Sequence, residues 1–346
     1  MKKVLIILCV VVAAAAAVVA CVYIFADGEP EPAQTAEPEP DRTSADAQSV
    51  FGDWVFELKV REYLSLPDGE IDTEALAEVQ ELDLSYDGQS VTEYDKILSL
   101  DGLRYFPSLK KLTLDGNALT SLDGIEQCPQ LEELHAQECR IYDAQPLAAL
   151  TALRALDLRG NGVTDLEFAQ SLTSLQSLDI SQNSVSDLSA LASGAFGGLQ
   201  SLSVAGLPVE DISAVFALTG LRSLDISSLA LTDEDLEGID ALSSLRELRA
   251  ENNYIRDAGT VAGLTGLTSL DLSLNRIDDF SALTALTQLA ELSLASNTIS
   301  DISPLRQMPA LEYVDLSKNR IVSYAALQGL DIEYMNFEGN SREYPG

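Results

Sequence analysis

Apolar residues recur at fixed spacing along most of this chain. From Leu109 onward the pattern Leu-x-x-Leu-x-Leu-x-x-Asn-x-Leu/Ile/Val returns about every 22 residues, as in the stretch from Leu267 to Ile277. With a divergent first unit there are twelve units, which begin at Val79, Leu109, Leu131, Leu153, Leu175, Leu199, Leu221, Leu245, Leu267, Leu289, Leu311 and Ile332. A repeat of this length is typical of a solenoid, because each unit can bury its apolar face only against its neighbours.

The alternation within each unit predicts a short β-strand. Side chains on a strand point to opposite faces in turn, so the leucines turn inward and the third, fifth and seventh residues of a unit turn outward. Strands of successive units then pair in parallel about 4.8 Å apart, with the return segments on the other side. The asparagine after the strand can hydrogen-bond the turn. We therefore predict an α/β solenoid, a leucine-rich-repeat horseshoe with a parallel β-sheet on its concave face.

The repeats resemble those of a known family of bacterial surface proteins. The sequence from Leu292 to Leu305, Leu-Ser-Leu-Ala-Ser-Asn-Thr-Ile-Ser-Asp-Ile-Ser-Pro-Leu, is similar to the 22-residue leucine-rich repeats of the internalin-like family. The resemblance extends over residues 51–346. It implies a helical N-terminal cap over residues 51–78, followed by leucine-rich repeats over residues 79–346, and a function in binding.

The cap region carries helical signals of its own. Phe51, Trp54, Val55 and Leu58 have helical spacing, and Asp72 or Thr73 can cap a short second helix. Such a cap would cover the first open face of the solenoid core.

Three units depart from the asparagine pattern. Cys139, Leu207 and Leu229 stand at the asparagine position, and the units that begin at Leu175 and Leu221 have 24 residues. The two leucines either alter the local curvature and expose an apolar edge, or remain buried as tolerated substitutions.

The first 26 residues predict a membrane segment. Two lysines precede an apolar run over residues 4–26, which as a helix would be about 35 Å long, enough to cross a bilayer. The lysines favour a cytoplasmic start, which places the rest of the chain outside. A lipoprotein signal with lipidation at Cys21 is the alternative, since Val18-Val19-Ala20-Cys21 resembles a lipobox, and simple secretion is the third. Each of these three options gives an extracytoplasmic repeat domain.

Residues 27–50 predict a spacer between this segment and the repeats. Prolines alternate with acidic residues, as in Glu29-Pro30-Glu31-Pro32. A segment with so few apolar side chains cannot offset its chain entropy by burial, so we expect a disordered, acidic, Pro-rich linker.

The net charge of the chain limits the kinds of partner that it can bind. The chain has 55 acidic and 21 basic residues, a formal net charge of −34. Nucleic-acid affinity depends on basic side chains that displace counterions, so we predict a protein partner of basic or mixed charge and no nucleic acid.

Cys128 and Cys139 lie on opposite sides of the repeat, farther apart than the roughly 7 Å between Cα atoms that a disulfide tolerates, so we expect free thiols.

The sequence holds none of the common catalytic signatures. There is one histidine, His135, and no His-Glu-x-x-His, Gly-x-Ser-x-Gly or Gly-x-x-x-x-Gly-Lys motif. We predict that the protein is not an enzyme and has no cofactor, no bound metal and no small-molecule substrate. One question stays open, because Asp157 and Asp179 on neighbouring strands could share a Ca²⁺ ion. His135 stands beside Asp157 in the same column and could pair with it.

The outward residues of the strands form the candidate site. Six of the twelve fifth-position residues are aspartates, and tyrosines occupy the third position in the last two units. Large side chains with a polar tip are typical of protein-binding surfaces. The residues predicted to contact a partner are Asp157, Asp179, Asp225, Arg249, Asp271, Tyr313, Asp315 and Tyr334. We expect a cell-surface protein that recognises or adheres to another protein; the alternative is a structural role in the envelope, through wall glycan or self-association.

Overall fold

The computed structural model describes residues 48–86, 88 and 95–341. The predicted membrane segment, residues 1–26 with Cys21, and the predicted linker as far as residue 47 lie outside the described residues. Within the described ranges, no helix combines the length and the apolar character needed to cross a bilayer. The described residues all belong to one compact unit.

The N-terminal end of the solenoid packs against one α-helix, α1 (Trp54–Tyr63). Its buried face consists of Val55, Phe56 and Val60. Together with Phe51, these side chains join the same apolar core as the first repeats. The predicted helical N-terminal cap is therefore confirmed.

The face that α1 buries differs from the predicted one. Leu58, which was expected on that face, is 49% exposed, whereas Phe56 is completely buried. The sequence offers two faces of helical spacing, because Trp54 and Leu58 are four residues apart and so are Phe56 and Val60. The helix buries the second.

A single buried carboxylate joins the cap to the first repeat. One Asp53 oxygen accepts the N–H groups of Val55 and Phe56, at 2.9 and 3.1 Å. The other oxygen accepts those of Leu98 and Ser99, at 2.7 and 3.2 Å. The first pair satisfies N–H groups that the start of a helix leaves without intrahelical partners.

The second predicted helix is a short 3-10 helix. Asp72 accepts hydrogen bonds from the N–H groups of Glu74 and Ala75, at 3.1 and 3.3 Å, where the helix Ala75–Glu78 begins. Of the two predicted caps, Asp72 is the one whose side chain makes these bonds.

Twelve parallel strands form one sheet, in chain order, and this confirms the predicted solenoid. Each strand occupies the third to fifth residues of a predicted unit. The strands are β1 (Glu81–Asp83), β2 (Lys111–Thr113), β3 (Glu133–His135), β4 (Ala155–Asp157), β5 (Ser177–Asp179), β6 (Ser201–Ser203), β7 (Ser223–Asp225), β8 (Glu247–Arg249), β9 (Ser269–Asp271), β10 (Glu291–Ser293), β11 (Tyr313–Asp315) and β12 (Tyr334–Asn336).

The return segments contain short 3-10 helices. Those described are Asp101–Tyr105, Ile125–Gln127, Gln145–Ala149, Phe168–Ser171, Ser189–Ala192, Gly194–Phe196, Ser213–Ala217, Glu234–Leu236, Ile239–Ala241, Ala258–Val261, Ser281–Ala285, Ser303–Gln307 and Ala325–Leu327. The two 24-residue units each contain two of these helices, so their extra residues lie on the return side. Their strands keep the regular register with both neighbours.

The asparagines link consecutive units as well as closing their own turn. The Asn275 side chain donates to the carbonyl of Leu272 at 3.0 Å and to that of Ala250, in the previous unit, at 2.9 Å. Its oxygen accepts the N–H of Ile255, also in the previous unit, at 3.1 Å. Asn161, Asn183, Asn253, Asn297 and Asn319 make the same set of bonds.

The three departures from the asparagine pattern remain buried. Leu207 and Leu229 are 3% and 6% exposed, so neither forms an apolar edge. The Cys139 thiol donates to the carbonyl of Leu114 at 3.1 Å, which replaces one of the asparagine's bonds. Cys128 and Cys139 are free thiols, as predicted, and burial raises the pKa of each to about 12.

Candidate functional site

The outward face of the sheet, formed by the third and fifth residues of the units, is the surface on which the predicted site lies. We call it the concave face. In β2 to β7 the middle residue of each strand is buried and the two flanking residues are partly exposed. The period of two in the sequence therefore builds a continuous polar surface across the sheet.

The aspartates of the fifth column close the turns that follow their strands. Each of the six accepts a hydrogen bond from the backbone N–H two residues further on, at 2.8 to 3.0 Å. These aspartates are Asp83, Asp157, Asp179, Asp225, Asp271 and Asp315. One oxygen of each carboxylate is thus used within the repeat, and the acidity of this face is in part a structural requirement of the fold.

Near the N-terminal end of this face, Glu133 is the centre of a charged network. It accepts hydrogen bonds from Lys111 and from the ring of His135, and these bonds lower the pKa of Glu133. The closest His135 nitrogen lies 2.7 Å from Glu133 and the other nitrogen lies 3.9 Å from Asp157. The expected pairing of His135 with Asp157 is thus secondary to one with Glu133.

Asp157 and Asp179 lie opposite each other on β4 and β5. Burial and, less strongly, repulsion from Asp179 raise the pKa of Asp157. The Gln137 side chain donates to Asp157 at 2.7 Å, and Ser181 donates to Asp179 through both its N–H and its hydroxyl. Among the described residues, no group of three or more His, Cys, Asp and Glu side chains is arranged to hold a metal ion.

Arg249 lies between two aspartates in the middle of the C-terminal half. It pairs in register with Asp225 on one side and with Asp271 on the other. Glu251 lies near all three, and burial, followed by the charges of Asp271 and Asp225, raises its pKa. Three carboxylates surround one guanidinium here, so this region keeps a negative charge.

Two tyrosines end the concave face. Tyr313 on β11 and Tyr334 on β12 are register partners, and their rings stack with centroids 4.7 Å apart and planes 8° apart. They are 39% and 48% exposed. We call these two residues the tyrosine pair.

The structure adds residues to those that the sequence indicated. Glu133 and Glu291 occupy the third column and Glu251 the seventh, and all three carry charge onto or beside the concave face. The alternation itself contained this signal, because the third column faces outward as much as the fifth. The predicted residues extend along the concave face from β4 to β12, and the register brings together Asp157 with Asp179, Arg249 with Asp225 and Asp271, and Tyr313 with Tyr334.

An open groove lies on the return side, away from the sheet. It is lined by residues of the units that begin at Leu175 and Leu199, among them Asp187 and Asp211. Both carboxylates are already engaged, because hydrogen bonds from Ser189 and Ser213 hold their pKa values below the usual range. Like the aspartates of the fifth column, these two carboxylates accept the N–H two residues further on.

Three sequence models of leucine-rich repeats match parts of the chain. The model described as the leucine-rich-repeat domain of the endo-beta-N-acetylglucosaminidase EndoS matches residues 70–183. Two general leucine-rich-repeat models match residues 287–331 and 264–279. No curated protein matches the chain.

Solved structures of Listeria monocytogenes proteins share this architecture. The internalin InlF is 26% identical, with a TM-score of 0.67 over 83% of this chain and 96% of that one. The internalin InlC2 is 31% identical, with a TM-score of 0.51 over 55% of this chain and 83% of that one. The functional domain of InlJ, at 22% identity, 84% of this chain, 60% of that one and a TM-score of 0.60, shares the fold.

Proposed function

Because this chain belongs to the internalin-like leucine-rich-repeat family, we propose that it is a cell-surface recognition protein that binds another protein through its concave face. Proteins of this type generally mediate protein–protein interaction. The observation that carries the proposal is the exposed tyrosine pair beside a cluster of charged side chains on a rigid sheet. Aromatic and arginine side chains dominate the energy of protein interfaces.

The charge of the concave face indicates the kind of partner. Aspartates and glutamates outnumber basic residues in the third and fifth columns, and the whole chain has a net charge of −34. Complementary charge speeds association and suppresses wrong partners. We therefore propose a partner whose contact surface is basic or mixed in charge.

The proposal includes a tether at the N-terminus. Residues 4–26 would hold the chain in the cell membrane, or a lipid on Cys21 would do so, with the acidic linker as the spacer and the repeats outside the cytoplasm. Support comes from the apolar length and the two preceding lysines. Labelling of the protein with a palmitate analogue, with Cys21→Ser as the control, separates the two anchors, since only a lipid on Cys21 would give a label that this substitution removes.

A matched pair of variants tests recognition by the concave face. The concave variant carries Arg249→Ala, Tyr313→Ala and Tyr334→Ala. The control variant carries Tyr142→Ala, Tyr254→Ala and Arg276→Ala, which removes the same residue types from exposed positions outside the strands, where Tyr142 is 63% and Tyr254 47% exposed. The full chain in a nonionic detergent is used to capture proteins from host and bacterial surface extracts.

We expect one protein to be captured by the wild type and by the control variant but not by the concave variant. Circular dichroism and thermal unfolding verify that both variants are folded. Capture that survives in the concave variant would contradict the proposal. Capture of wall glycan or of the chain itself alone would favour the envelope-organising role.

A further inference from the structure

We propose that the tyrosine pair, with Glu291 and Asp315, forms a receptor for one lysine or arginine side chain of the partner. This inference rests on the proposed function and adds the chemistry that the C-terminal end of the concave face recognises.

The tyrosine pair offers a preformed apolar surface. The two rings stack on adjacent strands, with centroids 4.7 Å apart, and each keeps between a third and a half of its surface exposed. Within the described part of the chain, no hydrogen bond is made by either phenol hydroxyl. Two rigid aromatic side chains of this kind can bind a partner at a small cost in conformational entropy.

Two carboxylates lie next to Tyr313. Glu291 is the register partner of Tyr313 on β10, and Asp315 is on the same face of β11, two residues after Tyr313. Burial, and then the charge of Asp315, raise the pKa of Tyr313, with smaller effects from Tyr334, Asp271 and Glu291. The field at the Tyr313 hydroxyl is therefore negative.

Among the described residues, the third and fifth columns of β9 to β12 contain no basic side chain. The third and fifth residues of β9 to β12 are Ser269, Asp271, Glu291, Ser293, Tyr313, Asp315, Tyr334 and Asn336. The nearest basic residue in these columns, Arg249, is on β8, three strands and about 14 Å from β11 at the usual strand spacing. A cationic side chain of the partner would compensate the charge of these columns.

Glu291 keeps one carboxylate oxygen for a partner. The other accepts a hydrogen bond from the Ser269 hydroxyl at 2.9 Å, which orients the side chain. Among the described residues no group donates to the remaining oxygen, so it can accept a hydrogen bond from a cationic side chain. Asp315 is fixed by the N–H of Ser317 at 2.8 Å and the Asn336 amide at 3.0 Å.

Lysine and arginine side chains fit both the stacked rings and the carboxylates beside them. Their methylene stems pack along apolar rings while the charged group remains at the polar edge, and a cation over an aromatic face gains further attraction. An apolar side chain would leave the carboxylates uncompensated, and an acidic side chain would be repelled. The stacked rings and the carboxylates together therefore select for a long cationic side chain.

The test uses peptides that differ only in charge. The probes are a fluorescent peptide, Gly-Lys-Gly-Lys-Gly-Lys-Gly, and the same peptide with acetylated lysines, which keep the stem and lose the charge. Anisotropy is measured on the full chain in nonionic detergent. We expect the acetylated peptide to bind at least about tenfold more weakly.

Substitutions in the chain show which residues bind the lysine peptide. We expect Tyr313→Ala with Tyr334→Ala to weaken the lysine peptide about tenfold and Glu291→Gln about threefold. Tyr313→Phe with Tyr334→Phe keeps the rings and should bind within about twofold of the wild type. The controls are Tyr142→Ala for an exposed tyrosine and Glu234→Gln for an exposed acid outside the strands, and neither should change the affinity.

The inference fails if the double alanine variant binds the lysine peptide as tightly as the wild type, because general acidity would then explain the binding. It also fails if the acetylated peptide binds equally well. In both cases the proposed function stands as long as the concave triple variant still loses its protein partner. Failure of the proposed function would instead appear as capture that does not depend on the concave face.

Discussion

At the scale of single residues, the position after each strand determines how neighbouring units are joined. An asparagine there satisfies two carbonyl groups and one N–H group, two of these three in the preceding unit. Cys139 offers one weak donor in place of these bonds. Buried polar groups that lose a partner cost about 1 to 3 kcal/mol each, so this position contributes strongly to stability.

We predict that Cys139→Asn stabilises the protein. The new amide can donate to the carbonyl of Leu114 and accept the N–H of Leu119, as Asn161 does with the N–H of Ile141. The gain should be about 1 kcal/mol in the free energy of unfolding, measured by urea titration. Asn161→Ala is the matched control and should lose about 2 kcal/mol or more. A destabilised Cys139→Asn variant would show that this unit needs a cysteine at the asparagine position.

A second prediction concerns the pH dependence at Asp157. Burial raises the pKa of its carboxyl, so the folded state favours the protonated form. The wild type therefore carries a penalty at neutral pH, which disappears as the pH falls through the folded pKa toward the unfolded value of about 3.9. Asp157→Asn should have the higher melting temperature at pH 7, and the difference should vanish below about pH 4.

The matched control for this effect is Asp157→Ala. It removes the acceptor for the N–H of Arg159, a bond of 3.0 Å that asparagine can keep. Its melting temperature should be below that of Asp157→Asn at both pH values. A lower melting temperature for Asp157→Asn than for the wild type at pH 7 would show that the charge stabilises the fold.

Sequence patterns predicted residue roles unevenly. The fifth column was identified correctly as outward-facing, but its aspartates also hold the turns of their own strands, which alternation alone does not reveal. The partner of His135 could not be predicted, since Glu133 and Asp157 are equally plausible from column positions. Only the side-chain geometry places Glu133 nearer.

At the scale of elements, the cap and the repeats depend on each other. Helix α1 has ten residues, and helices of this length are marginal without tertiary packing. Its three buried side chains and the carboxylate of Asp53 attach it to the first repeat. The cap in turn covers the apolar end of the solenoid.

We predict that Asp53→Ala detaches the cap and costs roughly 3 kcal/mol, because four buried or partly buried N–H groups lose their acceptor. Asp53→Asn should lie between this variant and the wild type, since its amide keeps one acceptor. Hydrogen exchange should show that Asp53→Ala speeds exchange in α1 and β1 more than in β10, relative to the wild type.

Asp72→Ala is the comparison for Asp53→Ala. Its bonds to Glu74 and Ala75 are exposed and local, so the loss should be below about 1 kcal/mol. Equal losses in the Asp53 and Asp72 variants would contradict the role given to the buried carboxylate.

The elements were predictable to different degrees. All twelve strands lie at the third to fifth residues of the predicted units, because a repeated period-two pattern specifies both the strand and its face. The prediction of the buried face of α1 was wrong at Leu58, because Phe56 and Val60 offer a second face of helical spacing and the helix buries that one. Single helices lack the cross-check that twelve repeats provide.

At the scale of the whole molecule, one long sheet presents a large acidic surface with an aromatic end. The repeat explains why the face is continuous, and the turn-closing aspartates explain much of its charge. The departures from the repeat that matter for binding are Arg249 and the tyrosine pair. They lie in the C-terminal half. The sequence alone predicted that they face outward, because the repeat assigns every strand residue to a column.

The most direct test of recognition by the concave face is a crosslinking measurement with the full chain on cells. The photoreactive amino acid benzoylphenylalanine replaces Ser293, which is the register partner of Asp315 on β10, or Tyr142, which is exposed outside the strands. We predict that the residue at position 293 crosslinks to a single partner protein and that the residue at position 142 does not. A partner crosslinked from position 142 and not from 293 would contradict the account.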